Sequence, residues 1–227
     1  KIQIAVGPLA LDDGLRDVLM REYRLFAAPG PGKLTVRARV ERFTERTPAF
    51  GTAPSSADTF TLTVTRDGPY CVKTYTTEKA ERPALLTYSL GPFTFYRRWR
   101  EGEDAIAQAL QFEAPTLIDF DATGTSYAMR GARTVAGRRV EWSSTCKSVG
   151  RAQTPKAPGL VSMRYECQTV SADPSRAGDR TVVRTETASR FLPAMGCFVG
   201  DAEIAGGLEQ TSRGSSRYSV ESVVYQK

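Results

Sequence analysis

Few residues of this chain have the types and spacing that catalysis needs. The sequence contains no histidine, which excludes Ser-His-Asp and Cys-His nucleophilic catalysis and histidine-containing zinc sites. Two carboxylate pairs remain, Asp119 with Asp121 and Asp201 with Glu203, and such pairs can exchange protons or bind a hard cation. The same spacing is typical of a solvated strand face. We therefore expect no catalytic residue, no metal and no cofactor, and favour a non-enzymatic protein.

The four cysteines are even in number, and no CxxC motif is present. This spacing excludes a zinc ribbon and a thioredoxin-type motif, and it favours disulfides or buried reduced thiols. Cys146 and Cys167 fall on the apolar faces of two successive predicted strands, so we predict a disulfide between them. Cys71 and Cys197 then pair across the two halves of the chain or stay free.

Aromatic and basic residues are the candidates for ligand binding. Trp99 lies beside Arg98 in the run RRWR, whose positive charge suits a lipid head group or the acidic residues that follow it. Trp142 and Tyr165 share the predicted faces of Cys146 and Cys167. If the sheet curves without closing, such rings line an apolar cleft, which is how a β scaffold accepts lipid. The candidate ligand-binding residues are therefore Trp99, Trp142, Tyr165 and Arg98.

The net charge of +6 is mild and spread along the chain. Arginines alternate with threonine, serine and glutamate along predicted strands instead of forming a basic patch, so we expect no nucleic-acid partner. A positive excess of this kind favours an anionic lipid surface. We also predict no transmembrane segment, because no apolar run is long enough to cross a bilayer.

The first half of the sequence mixes helix and strand patterns. A strand over residues 2–6 precedes a helix capped by Asp12 or Asp13, and Pro-Gly-Pro-Gly at residues 29–32 ends that helix. Period-two alternation then predicts strands over residues 34–46 and 59–77, the latter folded at the Asp67-Gly68 turn. A further extended segment covers residues 85–90.

The stretch over residues 97–115 has the strongest helix pattern. Trp99, Ile106 and Leu110 recur at helical spacing, carboxylates occupy the first turn, and Pro115 ends the pattern. We expect this second helix to cover one face of the N-terminal sheet.

After residue 115 the patterns indicate strands alone. They cover residues 116–121, 126–130, 139–149, 160–170, 181–191, 197–204, 208–213 and 217–225. Residues 148–159 form the longest link, which we predict to be a flexible loop. The fold class is thus α+β and mostly antiparallel β. A small α/β part with two helices (1–115) precedes an antiparallel meander or open barrel (116–227), and a Cys71–Cys197 bond would make them one continuous fold.

Two stretches carry a resemblance to known proteins. IQIAVGPLAL and RRWREGEDAIAQAL, together with the element order around them, resemble auxiliary lipoproteins of ABC-type lipid and lipopolysaccharide transport in bacterial envelopes. FLPAMGCFVGDAEI and the closing RYSVESVVYQK are similar to periplasmic β-meander families without an established activity. The first likeness implies an α/β fold, and both imply an envelope location.

These observations favour an exported protein of the periplasm or the outer membrane, as does a chain that begins at Lys1 directly before a strand. Its expected role is a binding or assembly factor, with lipid or envelope proteins as partners. One alternative is a small-molecule binder or enzyme that uses carboxylate, arginine and tyrosine chemistry in a pocket with perturbed pKa values. The other is a structural interaction module. The oligomeric state is left open.

Overall fold

The computed structural model describes residues 32–68, 70–78, 85–99, 104–113, 118–135, 138–172, 182–211 and 214–227. These residues form thirteen β-strands and one short α-helix. The first six strands are β1 (Lys33–Phe43), β2 (Ser56–Asp67), β3 (Tyr70–Thr77), β4 (Leu85–Leu90), β5 (Phe93–Trp99) and β6 (Asp104–Glu113). Then follow β7 (Ser126–Val135), β8 (Arg138–Thr154), β9 (Ala157–Ala172), β10 (Val182–Leu192), β11 (Cys197–Gly200), α1 (Asp201–Ala205), β12 (Gly207–Thr211) and β13 (Gly214–Gln226).

All thirteen strands belong to one antiparallel sheet that curls into a half-barrel. From β11 back to β1 each strand pairs with its neighbour in sequence, and β13 then pairs with β1 and carries β12 on its far side. Period-two alternation explains the strands: on β1, Leu34, Val36 and Val40 are buried while Arg37 and Arg39 are exposed. The predicted antiparallel meander is confirmed.

Two turns set the register of long hairpins. Gly68 has φ of +56°, a value that glycine adopts without the steric cost of a side chain, and it turns β2 into β3 as the sequence predicts. The prediction of a flexible loop over residues 148–159 is wrong. Strands β8 and β9 extend to Thr154 and Ala157 and leave only a two-residue turn between them.

The prediction of a helix over residues 97–115 is wrong. Its first residues finish β5, and Asp104–Glu113 forms β6, which pairs with β5 and β7. The sequence of β6 suits both structures, because isoleucine, leucine and phenylalanine also recur at every second or fourth position. Two neighbouring strands supply backbone hydrogen-bond partners, and this tertiary pairing overrides the local helix preference.

The α+β fold class is therefore replaced by a nearly all-β one, in which no described helix reaches seven residues. The first predicted helix and the strand over residues 2–6 lie outside the described residues. Residues 118–121 form a loop and turn instead of the predicted strand. The predicted strand over residues 197–204 ends at Gly200, because Glu203 accepts a hydrogen bond from the Gly200 N–H and starts α1.

The sheet continues across the predicted boundary at residue 115, since β6 pairs with β7. Whether residues 1–115 and 116–227 fold as separate units stays a prediction. The described residues include no helix long and apolar enough to cross a bilayer.

Two clusters of buried side chains fill the fold. The aliphatic core contains Leu34, Val36, Leu62, Val64 and Ile204 among others, and the aromatic core contains Phe93, Phe120, Tyr127, Tyr165, Phe191 and Phe198. Two disulfides are present, which confirms the expectation of disulfides: Cys71–Cys197 lies in the aliphatic core and Cys146–Cys167 in the aromatic core.

Candidate functional site

A cavity of about 390 Å³ lies inside the curl of the sheet. Residues of β3 and β5 and residues of β7 to β11 line this cavity. Helix α1 and strand β12 contribute Glu203 and Glu209 at one end. Because these strands are not all neighbours in the sheet, the curl itself creates the space between them.

The larger part of the cavity wall is apolar. The rings of Phe93 and Trp142 stack with centroids 6.2 Å apart and an interplanar angle of 22°, and Met129 and Phe198 line the same cavity. Alternation on β8 places Trp142 on the same face as Ser144 and Cys146, both of which are buried. This wall offers apolar surface to a ligand.

The Cys146–Cys167 disulfide forms part of the wall and fixes its position. The two cysteines are direct partners in the β8–β9 register, with Cα atoms 4.1 Å apart. Beside them Ser144 Oγ and Thr169 Oγ1 lie 3.0 Å apart at hydrogen-bond distance. The wall is thus covalently joined across β8 and β9, with two hydroxyl groups at its surface.

Charged side chains line the other end of the cavity. Lys73 on β3 pairs with Thr87 on β4, and Thr87 pairs with Arg97 on β5. Direct partners in neighbouring strands point to the same face, so Lys73, Thr87 and Arg97 form a row across three strands, named here the cationic row. Lys73 and Arg97 both line the cavity.

The first carboxylate opposite the cationic row is Glu203. Its Oε1 accepts a hydrogen bond of 2.6 Å from the Tyr75 hydroxyl, and its Oε2 accepts one of 2.9 Å from the Gly200 N–H. Burial and the negative charge of Glu203 raise the pKa of Tyr75 well above its usual value. Tyr75 therefore stays protonated and keeps donating to Glu203, and both Glu203 oxygens have a donor.

The second carboxylate is Glu209 on β12. Burial raises the pKa of Glu209, and repulsion from Glu203 adds to this effect, whereas a hydrogen bond with Tyr218 and attraction to Lys73 oppose it. Burial also raises the pKa of Tyr218, so that Tyr218 remains a hydrogen-bond donor to Glu209. The pKa of Lys73 is lowered, mainly by burial; attraction to Glu203 and Glu209 opposes this effect, and the nearby charge of Arg97 adds to it.

A separate ionic network holds α1 in place behind this end of the cavity. The Arg190 Nε donates to Asp201 Oδ1 over 2.5 Å, and Arg164 Nε donates to Asp201 Oδ2 over 3.1 Å. Arg190 Nη1 also donates to the carbonyl oxygen of Gln153 over 2.9 Å. Asp201 therefore fixes the helix that carries Glu203, and its role is structural.

The predicted ligand-binding residues fall in different places. Trp142 lines the cavity, whereas Tyr165 is fully buried in the aromatic core and donates its hydroxyl to the Phe120 carbonyl oxygen over 2.9 Å. Arg98 and Trp99 lie on β5, and their side chains are outside the described part of the structure. A ligand role for these four residues stays a prediction.

The two carboxylate pairs occupy turns of the chain, not strand faces. Asp119 Oδ1 accepts the backbone N–H of Asp121, and Asp121 forms an ion pair with Arg151 at 2.8 Å. Asp201 and Glu203 lie in the first turn of α1, where each has the separate partners given above. Within the described ranges no group of three or more metal-ligating side chains occurs.

The sequence analysis missed the charged end of the cavity. Lys73 was identifiable, because period-two alternation on β3 places it between Cys71 and Tyr75 on one face, and Cys71 is buried. A lysine on such a face is unusual and points to function. No pattern near Glu209 indicates its place, since its position depends on β12 joining the edge of the sheet.

Comparisons with protein-family models, curated proteins and solved structures find no match to this chain.

Proposed function

We propose that this protein is a non-enzymatic, exported envelope protein that binds a lipid-like molecule in the cavity of its curled sheet. The observation that carries this proposal is the cavity of about 390 Å³, which has an apolar wall at Phe93, Trp142 and Met129 and a charged end at Lys73 and Glu203. Ligand sites are typically concave, mostly apolar and equipped with a few convergent polar groups.

The disulfides bear on the location of the protein. Disulfides persist in oxidising compartments, so the two bonds indicate an exported chain. We place the protein in the periplasm or at the outer membrane because of the likeness to envelope proteins described above. Lipid or an envelope protein is then the expected partner.

The direct test is to purify the protein from an oxidising compartment and identify co-purified molecules by native and extraction mass spectrometry. We expect an amphipathic lipid to be bound by the natural protein. Thr187→Phe places a ring in the cavity and should abolish binding, because Thr187 lines the cavity. Val224→Phe is the matched control, since Val224 is 49% exposed on β13 and does not line the cavity.

Absence of any lipid, combined with no uptake of lipid extract by the purified protein, would contradict the proposal. Equal lipid content in Thr187→Phe and Val224→Phe would place the binding outside the cavity. Circular dichroism of both variants establishes that the sheet is intact.

A second candidate function is a small-molecule binder or enzyme with carboxylate, arginine and tyrosine chemistry. It is favoured by the convergence of Arg97, Tyr75, Glu203 and Glu209 in one cavity with perturbed pKa values. This candidate predicts a polar ligand without an alkyl chain. Metabolite-extract mass spectrometry on the same samples tests it, and recovery of an amphiphile alone argues against it.

A further inference from the structure

The two cations of the cationic row lack a direct contact with a carboxylate among the described residues, although Glu203 and Glu209 attract Lys73 from a distance. Neither Lys73 nor Arg97 forms a hydrogen bond or a close ion pair with a described residue, although both line the cavity. Lys73 is only partly exposed to solvent. A partly buried cation without a direct anionic contact costs free energy, and an anion from outside the chain would offset that cost.

The carboxylates at this end of the cavity are already satisfied by other donors. Glu203 receives hydrogen bonds from Tyr75 and Gly200, and Glu209 is hydrogen-bonded with Tyr218. The neutral tyrosines thus provide hydrogen bonds that the cations would otherwise give. Lys73 and Arg97 therefore stay available to a ligand.

The spacing within the cationic row suits a small anion. Strands in a sheet are about 4.8 Å apart, so residues on β3 and β5 that share the partner Thr87 have backbones about 10 Å apart. Two long basic side chains from such positions reach a common carboxylate or phosphate group between them. The repulsion between Lys73 and Arg97 would be relieved by the bound anion.

We propose that the cavity selects amphiphiles with an anionic head group, carboxylate or phosphate, which Lys73 and Arg97 bind while the alkyl chain lies along Phe93, Trp142 and Met129. This inference rests on the proposed lipid-binding function and names its ligand class. The head group and chain are assigned to opposite ends of one cavity, so both must be present for tight binding.

The test compares decanoate, decyl phosphate, decanol and decylamine, with acetate and inorganic phosphate as head groups that lack a chain. Isothermal titration calorimetry with the full chain measures each affinity. We expect decanoate and decyl phosphate to bind at least about tenfold more tightly than decanol, because a charge-assisted hydrogen bond contributes an affinity gain of that size. Decylamine should bind more weakly than decanol, and acetate and phosphate should show no binding at the same concentrations.

Lys73→Met should bring the affinity for decanoate close to that for decanol. Lys156→Met is the matched control, because Lys156 lies exposed in the β8–β9 turn and does not line the cavity. It should behave as the natural protein does. Without ligand, Lys73→Met should also be more stable towards urea than the natural protein, because a partly buried cation without a direct anionic contact is removed.

The outcomes separate this inference from the proposed function. If none of the chain-bearing compounds binds, the lipid-binding function itself is wrong. If decanol and decanoate bind equally, or if decylamine binds best, the cavity binds lipid but the anionic selectivity is wrong. Lower stability of Lys73→Met, or of Lys73→Gln should the first variant fail to fold, would show that Lys73 serves the fold and would overturn the inference.

Discussion

The two cores of this half-barrel use different side chains and enclose space differently. The aliphatic core under β1 and β2 consists mainly of leucine, valine and isoleucine, and no residue of β1 or β2 lines the cavity. In the aromatic core the ring centroid of Phe120 lies 5.1 to 6.1 Å from the ring centroids of Tyr127, Tyr165, Phe191 and Phe198. Tyr127 and Phe198 from this core also form part of the cavity wall.

The comparison shows how one sheet supplies both stability and a binding space. Small branched side chains interdigitate closely between layers, which suits a core that only has to hold the fold together. The aromatic side of the sheet instead borders the cavity, which polar groups such as Lys73 and Glu203 also line. We therefore expect mutations in the aliphatic core to affect stability and mutations at the cavity to affect binding.

The largest expected difference concerns the two disulfides, one in each core. Cys71–Cys197 spans 126 residues and Cys146–Cys167 spans 21. The chain-entropy relation then gives losses of about 5 and about 3 kcal/mol on replacing each pair by alanine. Urea denaturation of the two double variants measures this difference. A larger loss from removing Cys146–Cys167 would contradict the view that the aliphatic core carries the global stability.

The second comparison uses one side chain from each region. Leu62 is fully buried in the aliphatic core, so Leu62→Ala should lower the free energy of unfolding by about 3 kcal/mol. Trp142 is only partly buried beside existing space, so Trp142→Ala should cost about 1 to 2 kcal/mol, mainly from its stack with Phe93. Chemical denaturation gives both values, and an equal loss at Trp142 would mean that the cavity wall is a tightly packed core.

The smallest expected effect is a pH dependence that arises at Glu209. The folded state raises the pKa of this carboxyl above its ordinary value, so folding favours the protonated form. The resulting stabilisation is fully present below the unfolded pKa and is lost as the pH rises through the folded pKa. Glu209→Gln should remove this decline, while the exposed control Glu221→Gln should retain it. Stability curves between acid and neutral pH that coincide for Glu209→Gln and the natural protein would exclude the effect.

The sequence predicted the strands well wherever one face is buried. The alternation of Leu34, Val36 and Val40 with charged residues on β1 requires a half-buried strand, and the structure contains it. The Asp67-Gly68 turn was equally clear, because glycine readily adopts the positive φ that Gly68 has in this turn. Such local patterns are read correctly because burial and turn geometry act within a few residues.

The errors arose where pairing between distant segments decides the structure. The spacing of Ile106 and Leu110 on β6 fits either a helix or a strand. The segment forms a strand because β5 and β7 pair with it on both sides. The charged end of the cavity was missed for a similar reason. Lys73, Glu203 and Glu209 come from three separate parts of the chain and meet only through the curl of the sheet, so no spacing in the sequence relates them.

The pairing of β1 with β13 sets a condition on how this protein reaches its native state. Lys33 lies opposite Gln226, so the strand nearest the start of the described chain is completed by the last strand. Sheets built from such distant contacts form slowly, because a long loop must close before the pairing is stabilised. Until the C-terminal strand has arrived, β1 keeps an unpaired edge, the kind of edge that recruits other chains into aggregates. Synthesis of β13, and its transfer across any membrane, must therefore precede completion of the fold.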